Sequence, residues 1–263
     1  MPILPSLFVF ALSITATAEP SKATVQPPSQ QTIQLNRTTG AQSDHFIQSA
    51  PPQEVGSERL PSKNTTEDKS TPEAAKIIAA QAGQQYAQGH FSLAEKGYQQ
   101  ALHLAPHNID YLNHLAAVET HLNNSKETEK LLRLSIKEQL ENPSAWLLLG
   151  MNYLQEQRTE EAFAALVQAT LYDPKSARAQ QYLGVAAGRK HWNEISEASL
   201  RKAIELDPNY AEANFNLAVY YLQRNPPATE IARRHYQRAL DLGAPHDPTI
   251  DALLKRDVGH HKG

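Results

Sequence analysis

Residues 143–174 read PSAWLLLGMNYLQEQRTEEAFAALVQATLYDP. Trp146, Leu149, Gly150 and Tyr153 recur at helical spacing and share one face. After a short polar break, Ala162, Leu166 and Ala169 mark the face of a second helix. Asp173-Pro174 closes the stretch, because proline cannot continue a helix. Each helix is apolar on one stripe only and needs a neighbour to bury it. The stretch therefore predicts a helix, a turn and an antiparallel helix that is completed by similar units on either side.

The flanking sequence supplies those units. Ala82, Ala116, Gly150, Gly184 and Ala218 stand 34 residues apart, and Leu115, Leu149, Leu183 and Leu217 keep the same interval one position earlier. In the second helices Ala101, Ser135, Ala169 and Ala203 hold the interval, and Ala239 follows 36 residues later. Tyr98, Leu132, Leu166, Leu200 and Tyr236 track them three residues upstream. Small residues at one position let two helices approach closely, large ones fill the gaps between successive pairs, and Asp173-Pro174 and Asp207-Pro208 stop the second helix.

With this period, and with Trp146, Leu149, Gly150, Tyr153, Ala162, Leu166, Ala169 and Pro174 in order, the chain resembles the tetratricopeptide repeat family. The resemblance implies an all-α fold, a right-handed α-solenoid of stacked antiparallel helix pairs. It spans five units, at about 75–108, 109–142, 143–176, 177–210 and 211–245, within a region 72–245. Residues 246–256, with Ile250, Leu253 and Leu254 on one face, are expected to form a C-terminal capping helix, because solenoid ends need a cover with a polar outer side. Some positions depart from the pattern. Gln81 stands where Leu is expected, Thr128 and Ser135 occupy small positions, and Leu140 replaces the closing proline. The late Pro143 predicts a longer last turn in the second unit. Pro226-Pro227 marks a two-residue insertion in the fifth. Thr71 reads as a helix cap, and Ser92-Leu93-Ala94-Glu95 as a capping box.

The N-terminal part differs in composition. Residues 3–14 are an apolar run of signal-peptide length, and Ala16-Thr17-Ala18 offers small residues at a cleavage site. We expect a signal peptide over 1–18, cleavage after Ala18, and a periplasmic or secreted protein. Residues 19–71 are rich in Gln, Ser, Thr and Pro, with scattered apolar residues, and are expected to be a disordered linker. Within it, Asp44-His45-Phe46-Ile47 is a small apolar cluster. Residues 257–263 are expected to be a flexible tail.

The 25 Lys+Arg against 28 Asp+Glu leave no strong field for nucleic acid or anionic lipid. No cysteine is present, which excludes thiol chemistry and disulfides. There is no phosphate loop, nucleophile elbow or His-Glu-x-x-His, and the eleven histidines lack a third ligand at metal spacing. The expectation is a non-enzyme with no cofactor, no metal, no integral membrane span and no nucleic-acid partner.

In the tetratricopeptide family the first helices line a concave groove that binds peptides and proteins. Carried over by position, the resemblance implies Asn113, Leu147, Met151, Leu154, Gln181, Val185, Arg189, Phe215, Val219 and Leu222 as groove residues. The positions that carry Lys in carboxylate-binding relatives are here Ala79, Asn113, Leu147, Gln181 and Phe215, and those that carry Asn are Gly83, Ala117, Met151, Val185 and Val219. An amphipathic helix or an apolar extended segment of a partner protein fits this surface better than an acidic terminus. The alternative is a self-associating structural protein, such as a homodimer, or an accessory subunit of an envelope or secretion complex.

Overall fold

The computed structural model describes residues 71–258. The expected signal peptide, the linker with its Asp44–Ile47 cluster, and the tail beyond residue 258 lie outside the described residues. Among the described residues there are eleven helices and no strand. They form five antiparallel pairs: α1 (Glu73–Ala87) with α2 (Phe91–Leu104), α3 (Ile109–His121) with α4 (Ser125–Glu138), α5 (Pro143–Gln155) with α6 (Thr159–Tyr172), α7 (Ala177–Arg189) with α8 (Asn193–Leu206), and α9 (Ala211–Gln223) with α10 (Thr229–Asp241). A last helix, α11 (Pro248–Val258), follows. Each pair packs within itself and onto the next, as a solenoid does.

Close approach inside a pair rests on the small positions. A Cβ built on Gly150 would lie 2.5 Å from Leu166 Cγ, and one on Gly184 would lie 2.7 Å from Leu200 Cγ. Leu166 and Leu200 are buried by filling the space those glycines leave. Trp146 is only half-buried, and its indole N–H donates to the Leu140 carbonyl at 2.8 Å. The turn inside each of the first four pairs has a left-handed residue at the same position: Gly89, Asn123, Gln157 and His191. The fifth pair, with Pro226-Pro227, has a longer turn instead.

Helix entry differs from the sequence reading at two places. The residue before α2 is His90, whose side chain makes no cap hydrogen bond, so Ser92 lies inside the helix and no capping box forms. Pro72, not Thr71, precedes α1, and the Thr71 hydroxyl instead accepts from Asn108 Nδ2 at 3.4 Å. The caps fall between pairs. Asn108, Asn142 and Ser176 accept from the backbone N–H of Tyr111, Ala145 and Ala179.

The departures in the second unit have physical reasons. α4 has the same 14 residues as α6 and α8, so no longer last turn forms. Asn142 caps α5 where the family's proline would have stopped the chain earlier. The buried Ser135 hydroxyl donates to Asn113 Oδ1 at 2.7 Å and accepts from Asn142 Nδ2 at 3.0 Å. Gln81 is exposed because no described unit precedes it, while its counterparts Leu115, Leu149, Leu183 and Leu217 are buried.

The pairs are also joined by polar staples that recur every second junction. Tyr153 Oη donates to Glu129 Oε1 at 2.9 Å, and Arg133 reaches both Glu129 and Tyr153. Two units on, Tyr221 Oη donates to Glu197 Oε1 at 2.7 Å, and Arg201 reaches both. Between them the third junction lacks this triad and is joined instead by aromatic packing and a Lys190–Glu160 ion pair. Phe163 meets Trp192 edge-on at 4.6 Å, and Trp192 and Val167 remain partly exposed.

Candidate functional site

The first helices α3, α5, α7 and α9 carry the ten groove positions, and the structure sorts them into three classes. Leu147, Met151, Val185, Val219 and Leu222 are half-buried. Leu147 and Val185 lean on the apolar core of the first four units, whereas Val219 and Leu222 lean on that of the fifth unit and α11. These five keep apolar surface available along α5, α7 and α9, the first helices of three successive pairs.

Leu154 and Phe215 are not available, at 1% exposure each. Both belong to the core, and Phe215 meets the Tyr236 ring of α10 edge-on at 6.1 Å. A side chain so enclosed shapes the groove wall from behind and offers a ligand no surface. This corrects their assignment as groove residues.

The polar positions are engaged inside the protein. Asn113 is buried and accepts from Ser135, as described above. Gln181 is buried, and its Oε1 accepts from Tyr210 Oη at 3.4 Å. Arg189 is half-buried, its Nη1 donates to the Leu154 carbonyl at 2.7 Å, and burial pushes its pKa down. It thereby satisfies one of the terminal carbonyls of α5. These side chains fix the first helices relative to one another.

A further polar and aromatic cluster joins the first two units. His121 stacks on Phe91 at 4.2 Å, and its Nε2 is 2.9 Å from Tyr86 Oη. Burial pushes the His121 pKa down, so the neutral ring is favoured. Burial also raises the Tyr86 pKa, and the charge of Arg178 opposes it. The sequence signal was available, since Tyr86 and His121 hold adjacent groove positions in successive units.

Among the described residues no group of three or more His, Asp or Glu side chains is placed to hold a metal ion. No described helix is long and apolar enough to cross a membrane.

Comparison with known proteins follows the same lines. Family profiles described as tetratricopeptide repeat match residues 143–176 and 199–241. The chain is 27% identical over 172 residues to the human Protein O-mannosyl-transferase TMTC1, covering 64% of this chain and 19% of that protein. It thus spans about a fifth of the length of that relative. Among solved structures, Pseudomonas aeruginosa pilF superposes with a TM-score of 0.64 at 18% identity, covering 72% of this chain and 86% of that one. YrrB, described as a TPR protein with an unusual peptide-binding site, superposes with a TM-score of 0.53 at 18% identity, covering 70% and 92%. Profile matches on the third unit and across the fourth and fifth, inside an array whose other units keep the same register, place the chain among the tetratricopeptide repeat proteins.

Proposed function

We propose that the chain is an exported, non-enzymatic interaction scaffold that holds an apolar peptide or helix of a partner protein in its concave groove. The observation that carries this reading is the half-buried strip Leu147, Met151, Val185, Val219 and Leu222. Such residues are anchored by the core yet keep apolar surface that a ligand can cover, and burying that surface is the main driving force for association. The repeat fold supports a scaffold, because its rigid helix pairs hold side chains from separate units in fixed relation. An apolar segment with i, i+3, i+4 anchors matches a surface without a lysine clamp.

The test is direct binding by the full chain. Fluorescence anisotropy would compare labelled amphipathic and acidic-tailed peptides on wild type and on a Met151→Glu/Val219→Glu variant, with helicity checked for both. The amphipathic class is expected to bind wild type and to lose at least tenfold in affinity, roughly 1.4 kcal/mol, on the variant. Equal binding to both proteins would remove the groove from the reading.

Export rests on residues 3–18 of the sequence. Its test is the N-terminus of the mature chain by mass spectrometry, expected at Glu19. A mature protein retaining residues 1–18 would overturn it.

A further inference from the structure

Position by position, the junction between the first and second helix pairs differs from its neighbours. Where Tyr153 and Tyr221 reach back to Glu129 and Glu197, the equivalent residue is Glu119, and it faces Glu95. Where Arg133 and Arg201 supply the cation, α2 has Gln99, whose Nε2 donates to Glu95 Oε1 at 3.0 Å. The junction therefore sets carboxylate against carboxylate with no arginine between them.

Glu119 is also enclosed, at 2% exposure. Asn124 Nδ2, just before α4, donates to its Oε2 at 2.6 Å. The charged groups facing it are Glu95 from α2 and Glu127 from α4. On its own helix, His121 lies two residues on, with its ring engaged by Tyr86 and Phe91 of the first pair. An ionised carboxylate here is desolvated, repelled from two sides and stabilised by one amide.

We infer that Glu119 is a proton-operated latch between the first and second helix pairs: protonated, it seats α1 and α2 on the array, and ionised, it loosens them. Burial, the largest influence, raises its pKa; Asn124 opposes this, and Glu95 and Glu127 add to it. The folded protein thus binds a proton that the unfolded chain has released. Stability at this seam is present below the ordinary carboxylate value and is lost as pH rises through the raised one. Glu129 and Glu197 respond in the opposite sense, because their folded values are lowered. The latch would let mild acid order the end of the groove formed by Tyr86 and His121. It does not depend on what the groove binds.

The experiment is hydrogen exchange on the full chain, corrected for intrinsic rates, at about pH 4, near the ordinary carboxylate value of about 4.3, and at about pH 8. His121, whose lowered pKa favours the neutral ring, pulls the wild-type pH profile the other way, so the readout is the difference between variant and wild type. Glu119→Gln keeps an acceptor for Asn124 and removes the charge. Its α2 and α3 amides are expected to exchange more slowly than wild type at the higher pH, with the difference shrinking at the lower. Glu95→Gln is expected to act in the same direction and less strongly. Wild-type amides protected as well as or better than the variant's at the higher pH would overturn the latch. So would a difference of equal size at both pH values, which marks a packing effect alone.

Discussion

At the scale of single residues, the array depends on positions where one atom decides the packing. Gly150 is the sharpest, because any β-carbon there meets Leu166 inside contact distance. Gly150→Ala is expected to cost about 1–3 kcal/mol by overpacking, and Leu166→Ala about 2–5 kcal/mol by leaving a cavity; urea unfolding measures both. Ser135→Ala strips Asn113 and Asn142 of a buried partner. Its expected cost is about 1–3 kcal/mol, more than a surface serine would show. The sequence marked all three positions, as the recurring small and large residues of the 34-residue pattern. Depth was what it could not give. Leu154 and Phe215 hold groove positions by count and are core residues in space, whereas Trp146 reads as a core aromatic and is half-exposed. Position on one helix fixes the direction of a side chain. Its burial depends on how far the next pair folds over it.

At the scale of elements, the recurring turn and the recurring staple set how the pairs are joined. Gln157 and His191 pay a left-handed backbone penalty that Gly89 avoids. Gln157→Gly is expected to raise the thermal midpoint, with a gain of up to about 1 kcal/mol; a lowered midpoint would contradict the turn described. The staples add a pH dependence. For Glu129, burial pushes the pKa up, but hydrogen bonds from Arg158 and Tyr153 and the charge of Arg133 outweigh it, leaving it low. For Glu197, the Tyr221 hydroxyl leads in holding the value down, with burial opposing and Tyr220 and Arg201 assisting. Their stabilisation is present above the ordinary carboxylate value of about 4.3 and is lost as pH falls through the lowered values. Glu129→Gln and Glu197→Gln should both be less stable than wild type at neutral pH, and the difference should shrink as pH falls, because wild type loses there the contribution that the variants already lack; urea unfolding at a series of pH values measures it. The 34-residue period was legible in the sequence. The staples were not, because they link residues of adjacent units that belong to a period twice as long.

At the scale of the molecule, stability in such an array is close to a sum over units and junctions. α11 stands where the first helix of a sixth unit would, with Ile250 and Leu254 buried, Asp247 capping it, and Arg233 Nη2 donating to the Leu254 carbonyl at 2.8 Å. Stopping the chain after residue 245 is expected to lower the thermal midpoint and to speed hydrogen exchange in α10 more than in α2. The sequence placed this helix through its apolar face, and its role follows from the array. Stacking one pair on the next is a head-to-tail operation, and head-to-tail surfaces that do not close generate filaments. Here α11 fills the tail face, and Gln81 and Gln84 stand exposed on the head face where other units bury leucine and other packing residues. Among the described residues the two ends thus differ: the tail face is covered, whereas the head face also leaves Ile77 exposed where Tyr111, Ala145, Ala179 and Ala213 are buried in the other units. Repeated stacking needs both faces free, so covering the tail alone makes the described pairs a ruler with five marks.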